Sequence, residues 1–202
     1  MSKDKLSKSL IFKDFRKTLV QEFGEATAEL IWHNANLRYE TLSKDYRNLD
    51  SDSRMMILPA AALLGTLNKF APEQALPLLT TYGAHMGEKL AKIVHTVTSI
   101  PGVPQLLWHN MPKLMRTMSS PKKGYTRYIV SETHELVGVD ILSCPLHDAA
   151  VKIGMPEAAL IVCAMDKAYM TGFKNIRYTR TTSVAEGAEC CDYRLRYDRN
   201  KE

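Results

Sequence analysis

Ser119-Ser120-Pro121-Lys122-Lys123-Gly124, followed at once by Tyr125-Thr126-Arg127-Tyr128-Ile129-Val130-Ser131, is the stretch on which the reading of the fold turns. Proline, glycine and serine within six residues mark a linker. The segment after it is rich in Tyr, Thr, Ile and Val and reads as a strand, with Leu136–Leu142 as a second. Everything before it reads as helix.

Working back from the linker, Val103–Met118 is a short amphipathic helix set off by the Pro101-Gly102 break. Met111, Met115 and Met118 lie at near-helical spacing and are expected in the core. Glu73–Thr98 forms a longer helix in which Pro77 and Gly83 are candidate kinks. Met55–Phe70 is apolar nearly all round and should be central, with Asp50-Ser51-Asp52-Ser53 supplying its capping residues. Farther back, Phe15, Leu19, Phe23, Ala26, Leu30, Ile31, Ala35 and Leu42 mark one apolar face of a long or broken helix.

Working forward, Cys144–Ile153 is a short helix or loop. Pro156 is placed to open a helix that Gly172 stops. Asn175–Ser183 and Cys190–Tyr197 form a closing strand pair around a turn containing Glu186-Gly187. The fold class is therefore α+β: N-terminal helices packed with a C-terminal β-β-α-α-β-β unit whose sheet is antiparallel. At 202 residues the simplest expectation is a single domain over 1–202, with a helical part at about 12–118, a linker at 119–124 and an α+β part at 125–197.

With 45% apolar and 24% charged residues the chain has the make-up of an ordinary globular protein that needs no disulfides. No apolar run approaches the ~18–20 residues of a membrane span. Met1-Ser2-Lys3-Asp4-Lys5 lacks the apolar stretch of a signal peptide, so a cytoplasmic location with reduced cysteines is expected. The net charge of +5 is spread over Lys3–Lys8, Lys122-Lys123 and the tail from Arg194 to Lys201. It forms no basic stripe with stacking aromatics, so nucleic acid is not an expected partner. The apolar Met55–Leu67 segment is either core or a dimer face, which leaves a homo-oligomer open.

All four cysteines fall in the last third of the chain, in Cys144-Pro145-Leu146, Cys163-x-x-Asp166 and Cys190-Cys191-Asp192-Tyr193. On the last strand, alternation puts Cys191, Tyr193, Leu195 and Tyr197 on the core face and Cys190, Asp192, Arg194 and Arg196 on the other. Cys191 is thus the better-placed thiol of the adjacent pair. Cys163 and Asp166 share a helix face, where a carboxylate is costly to bury without a partner. Asp166 either tilts to the edge and pairs with Lys167 or an arginine, or is a buried base of perturbed pKa, as functional sites often hold. Cys144 closes the second strand, and His147, three residues on, is the one histidine placed to assist it.

Read together, these motifs suit either a nucleophilic hydrolase or a metal site. Cys144, Cys163 and Cys191 with Glu132 or Asp166 would make a tetrahedral zinc site. Yet no Cys-x-x-Cys pair is present, so no metal is assigned and no cofactor is required. Gly83-x-x-x-Gly87 lacks the lysine and the preceding strand of a phosphate loop.

The C-terminal third resembles the L-2-amino-thiazoline-4-carboxylic acid hydrolase family. The resemblance rests on Cys144-Pro145, Gly154-Met155-Pro156-Glu157, Cys163-x-x-Asp166, Phe173-x-Asn175, Arg180-Thr181-Thr182 and Glu186-Gly187-x-x-x-Cys191-Asp192-Tyr193, over roughly residues 125–197. The family pattern ends in Cys-Asp-Phe, so Tyr193 departs from it. The resemblance implies hydrolysis of a small cyclic amidine such as 2-amino-thiazoline-4-carboxylate, opened to a carbamoyl-cysteine. Its implied machinery is Cys191 or Cys163 as nucleophile, with Cys144 nearby and Asp166 shuttling protons. Arg180 or Arg177 would hold the substrate carboxylate, with His147 beside them. The β-β-α-α-β layout also looks like the 4-vinyl reductase-type sensor domains, which bind small molecules, can hold zinc through cysteines and cut no bond.

Overall fold

The computed structural model describes residues 4–199. The outer ends of the two terminal basic clusters, Lys3 and Lys201, lie outside the described residues. Helices α1 (Phe15–Phe23), α2 (Glu25–Asp45), α3 (Ser51–Phe70), α4 (Pro72–Thr98) and α5 (Val103–Met118) precede strands β1 (Thr126–Glu132) and β2 (Leu136–Ser143). Helices α6 (Pro145–Lys152) and α7 (Ala158–Met170) follow, then β3 (Ile176–Thr179) and β4 (Cys191–Tyr197). The protein is α+β. Its chain divides into two compact units: the residues up to Gly83 with Asp148–Ala164, and Ala84–His147 with the residues from Met165 onward. The divisions fall inside α4, α6 and α7, not at the linker, which closes as a short turn at Pro121–Lys123.

In the first unit, Gly24 separates α1 from α2. Its φ of +75° suits glycine, and its N–H caps α1 through Val20 O. The break resets the helical phase. Ala26 and Leu30, expected on the apolar face, are exposed, while α2 buries Ala28, Ile31, Trp32, Ala35 and Leu42. The helix is thus broken, and its two parts do not share one apolar face. Helix α3 starts where Asp50 accepts the Ser53 N–H at 2.9 Å, and it buries Ile57 through Leu67 without interruption. It is the central helix its composition required.

Neither Pro77 nor Gly83 stops α4, which runs unbroken to Thr98. Gly83 serves packing: a Cβ there would lie 2.5 Å from the Ile161 carbonyl oxygen of α7. Pro156 likewise stops short of its expected place, forming a turn with Glu157 before α7 begins at Ala158.

The second unit carries a four-stranded antiparallel sheet of order β1-β2-β4-β3. Val137, Val139 and Ile141 of β2 lie opposite Leu195, Tyr193 and Cys191 of β4. Their shared face packs with Ile176, Met111, Met115, Met170 and Phe173 into one core. Met118 does not join it and is exposed. Alternation along β4 holds as expected, with Cys191 and Leu195 buried and Arg196 exposed. Cys190, expected to face water, is half-buried just before the strand.

Candidate functional site

The site grows from the way the β3–β4 register continues beyond β3. Within the ladder Ile176 faces Tyr197 and Thr179 faces Arg194. Carried on by side chains, the same register sets Arg180 against Tyr193 and Thr181 against Asp192. Arg180 Nη1 donates to the Tyr193 hydroxyl at 3.1 Å, and its guanidinium lies 5.5 Å from that ring's centroid. The Thr181 and Thr182 N–H groups each reach Asp192 Oδ1 at 2.7 Å, and their hydroxyls reach Asp192 Oδ2 and Oδ1 at 2.6 and 3.0 Å. Next in line, the Val184 N–H donates to Cys191 Sγ at 3.3 Å, and the thiol lies 3.8 Å from the buried Ser183 hydroxyl. Two short sequence motifs thus interlock residue by residue.

Asp166 enters this framework from α7. Its Oδ2 accepts the Tyr193 hydroxyl at 2.8 Å and Arg180 Nη1 at 3.4 Å. The arginine side chain is only 6% exposed, whereas the aspartate keeps 32% of its side-chain surface open although protein surrounds it densely. Burial raises the Asp166 carboxyl above the ordinary carboxylate value, opposed by the Tyr193 hydrogen bond and the Arg180 charge. Burial also lifts the Tyr193 phenol well above its usual value, and the Asp166 and Tyr178 charges add to this. Asp166 combines both readings of the sequence: it pairs with an arginine, and it is desolvated.

The other expected site residues are distributed differently. Cys191 is 6% exposed and Cys144 half-buried, and both pack on the core of the second unit. Cys163 is half-buried on α7, one helical turn before Asp166. His147 is half-buried within α6. Arg177 lies on the sheet face opposite Arg180, where it pairs with Asp198 at 2.6 Å and is 63% exposed. The two arginines offered as alternatives for the substrate carboxylate therefore lie on different faces, and Arg180 is engaged by Asp166.

The zinc set does not assemble. Glu132 is gripped by Arg116, with Nε at 2.7 Å from Oε1. It lies opposite Val137, four residues along β2 from the partner of Cys191, or ~13 Å at ordinary strand rise. Among the described residues no group of three or more His, Cys, Asp or Glu side chains is placed to hold a metal. Nor is any helix among them long and apolar enough to cross a membrane.

Sequence reading passed over Tyr193 as a site residue, and Thr181, Thr182 and Ser183 as its frame. The signal was available in the common antiparallel register of the two motifs. Tyr193 contributes the hydroxyl that joins Asp166 to Arg180.

Fold and site define an α+β protein whose sheet carries a partly open carboxylate–phenol–guanidinium cluster. The chain belongs to the family described as L-2-amino-thiazoline-4-carboxylic acid hydrolase, whose profile matches residues 52–195. No curated protein matches it significantly. Among solved structures it is similar to a trafficking protein particle complex subunit 3 from Naegleria fowleri covalently bound to palmitic acid, with 12% identity and a TM-score of 0.39 over 75% of this chain and 98% of that one. It is also similar to the Fe(II) unliganded H-NOX protein from K. algicida, with 13% identity and a TM-score of 0.40 over 95% and 97% of the two chains.

Proposed function

We propose that the protein is a hydrolase that opens a small cyclic amidine of the 2-amino-thiazoline-4-carboxylate class, with Asp166 as its proton carrier. The observation that carries this reading is the Asp166 carboxyl itself, raised by burial yet one-third open to solvent and fixed by Tyr193 and Arg180. A carboxylate of elevated pKa, exposed on one edge, is a stronger base than an ordinary one and is suited to take a proton from water. Cys191 is enclosed at 6% exposure, so water, not this thiol, is the nucleophile in this reading.

The steps balance without a further reactant. Water adds to the amidine carbon between sulfur and nitrogen, giving one proton to Asp166 while the C=N electron pair moves onto nitrogen. The tetrahedral intermediate collapses: its hydroxyl proton passes to that nitrogen as the C=O forms, the carbon–sulfur bond breaks, and the sulfur leaves with the electron pair. Asp166 returns its proton to that sulfur, and the product is a carbamoyl-cysteine with a free thiol. Arg180 and Tyr193 act as positioning residues that hold the carboxylate.

The test is release of free thiol from 2-amino-thiazoline-4-carboxylate by the purified protein. Turnover by the wild type and by Cys191→Ala, but not by Asp166→Asn, is the expected pattern. Loss of turnover in a folded Cys191→Ala protein would return the nucleophile to the thiol. Saturable binding with no thiol release would favour the ligand-binding sensor instead.

A further inference from the structure

The first unit holds a second polar cluster, built around Arg38 of α2. Its guanidinium lies flat on α3 at Gly65, where a Cβ would sit 2.5 Å from Cζ and 2.6 Å from both Nε and Nη2. Glycine inside a helix carries a conformational cost relative to alanine, and here it gives the arginine head room against the helix. The head is poorly satisfied. Nε is buried and meets no acceptor among the described residues, and Nη2 donates only to the Met155 sulfur at 3.5 Å. Arg38 has no carboxylate within ion-pair distance among the described residues. A half-buried cation left without a counter-charge is costly.

Beside it is a cavity of about 290 Å³ lined by Asn34, Arg38, Thr66, Lys69 and Phe70. Its lining includes two cations and no acid. The Asn34 amide and Thr66 hydroxyl are engaged by the Leu30 and Ala62 carbonyls of their own helices at 2.7 and 2.8 Å, which leaves Arg38 and Lys69 as the groups that set its charge. The last turn of α3 passes here, and its roughly half negative charge helps cations gather but does not neutralise two of them. We infer that this cavity is an anion-binding site, separate from the hydrolytic cluster, that takes a small oxyanion group, phosphate or carboxylate. A guanidinium is the side chain best shaped to grip either group with paired hydrogen bonds. The volume lies at the lower end for ligand pockets, which fits a small metabolite and not a polymer.

The experiment is calorimetric titration of the full chain with inorganic phosphate and, separately, with acetate, at ionic strength fixed by chloride. One saturable site is expected, and the anion that saturates it identifies the source of the group. Arg38→Gln should weaken binding by about tenfold or more, the usual loss for a hydrogen bond to a charged group. Lys69→Gln should weaken it several-fold, and Lys17→Gln, a surface change on α1, should leave it unaltered. Gly65→Ala should weaken binding as Arg38→Gln does, because the new Cβ displaces the guanidinium, while the melting temperature holds or rises. If Arg38→Gln fails to fold, Lys69→Gln and Gly65→Ala still decide the matter. The inference is overturned if neither anion saturates, if both of those variants bind like wild type, or if Lys17→Gln loses as much as they do.

Discussion

Asp166 and Asp192 sit on opposite faces of the same motif and meet opposite fates. Asp166, on the core side, has a tyrosine hydroxyl and an arginine as partners, and burial outweighs both, leaving its pKa raised. For Asp192, on the outer side, partial burial alone would raise the pKa, but donors from Thr181 and Thr182 overcome this and hold it far below the usual carboxylate range. The difference separates two chemical situations. A carboxylate with four short hydrogen bonds is a structural knot. One with two partners, an open edge and a raised pKa can exchange a proton.

The largest effect that tests this contrast is on rate. Asp166→Asn should lower turnover by about 10²–10⁴-fold, the usual contribution of a proton-transfer group, measured on folded protein because the change also removes the counter-charge of the buried Arg180. Asp192→Asn should instead cost about 2 kcal/mol of stability by denaturant titration through loss of charged acceptors, with the residual activity of the folded fraction intact. Equal turnover by the two folded variants would erase the distinction.

pH separates them further. The depressed pKa of Asp192 gives stability that is present above the unfolded value of about 3.9 and is lost as pH falls toward the folded one. Asp192→Asn should therefore flatten the acid limb of the stability profile. The raised pKa of Asp166 has the opposite sign: its contribution is complete below the unfolded value and is lost as pH rises through the folded one. Asp166→Asn should accordingly make the protein relatively more stable above that point. Unfolding free energies of the three proteins across the acid range will show whether the two slopes oppose.

Tyr193→Phe is a finer probe. It removes the hydroxyl that lowers the Asp166 pKa, so the acid limb of the rate profile should move to higher pH. The stability loss should be about 1 kcal/mol for the hydrogen bond. A fall in rate without movement of that limb would make Tyr193 merely structural. Smallest of all, Cys190→Ser should stay within about 0.5 kcal/mol of wild type, because the residue lies outside both β4 and the interlocked contacts.

Much of this was legible in the residues. Alternation alone placed Cys191 inward and Asp192 outward, and the all-apolar Met55–Phe70 run placed α3 at the centre. The glycine at 24 escaped, because periodicity counted across it still looks continuous until the turn resets the phase. Arg180 and Arg177 stood as alternatives for one role. Residues three apart on a strand fall on opposite faces, but which face met the Asp166 carboxylate depended on how α7 packs on the sheet, which the sequence does not mark. Cys163 and Asp166 share a face by helical spacing, but spacing does not report what packs on it, so the Tyr193 and Arg180 partners of Asp166 were not legible.

On the outer sheet face, Asp140 and Asp192 stand directly opposite one another, a like-charge juxtaposition that would ordinarily weaken the ladder. Arg194 answers the first at 2.7 Å and the two threonines answer the second. Of these contacts only Arg194–Asp140 spans the β2–β4 pairing. A slip of β4 against β2 would carry Arg194 away from Asp140 and leave that acid facing the like charge of a neighbouring strand unanswered, while Asp192 would keep its threonine donors, which follow the β3–β4 register. The native alignment answers both acids. That same alignment brings Tyr193 to Asp166.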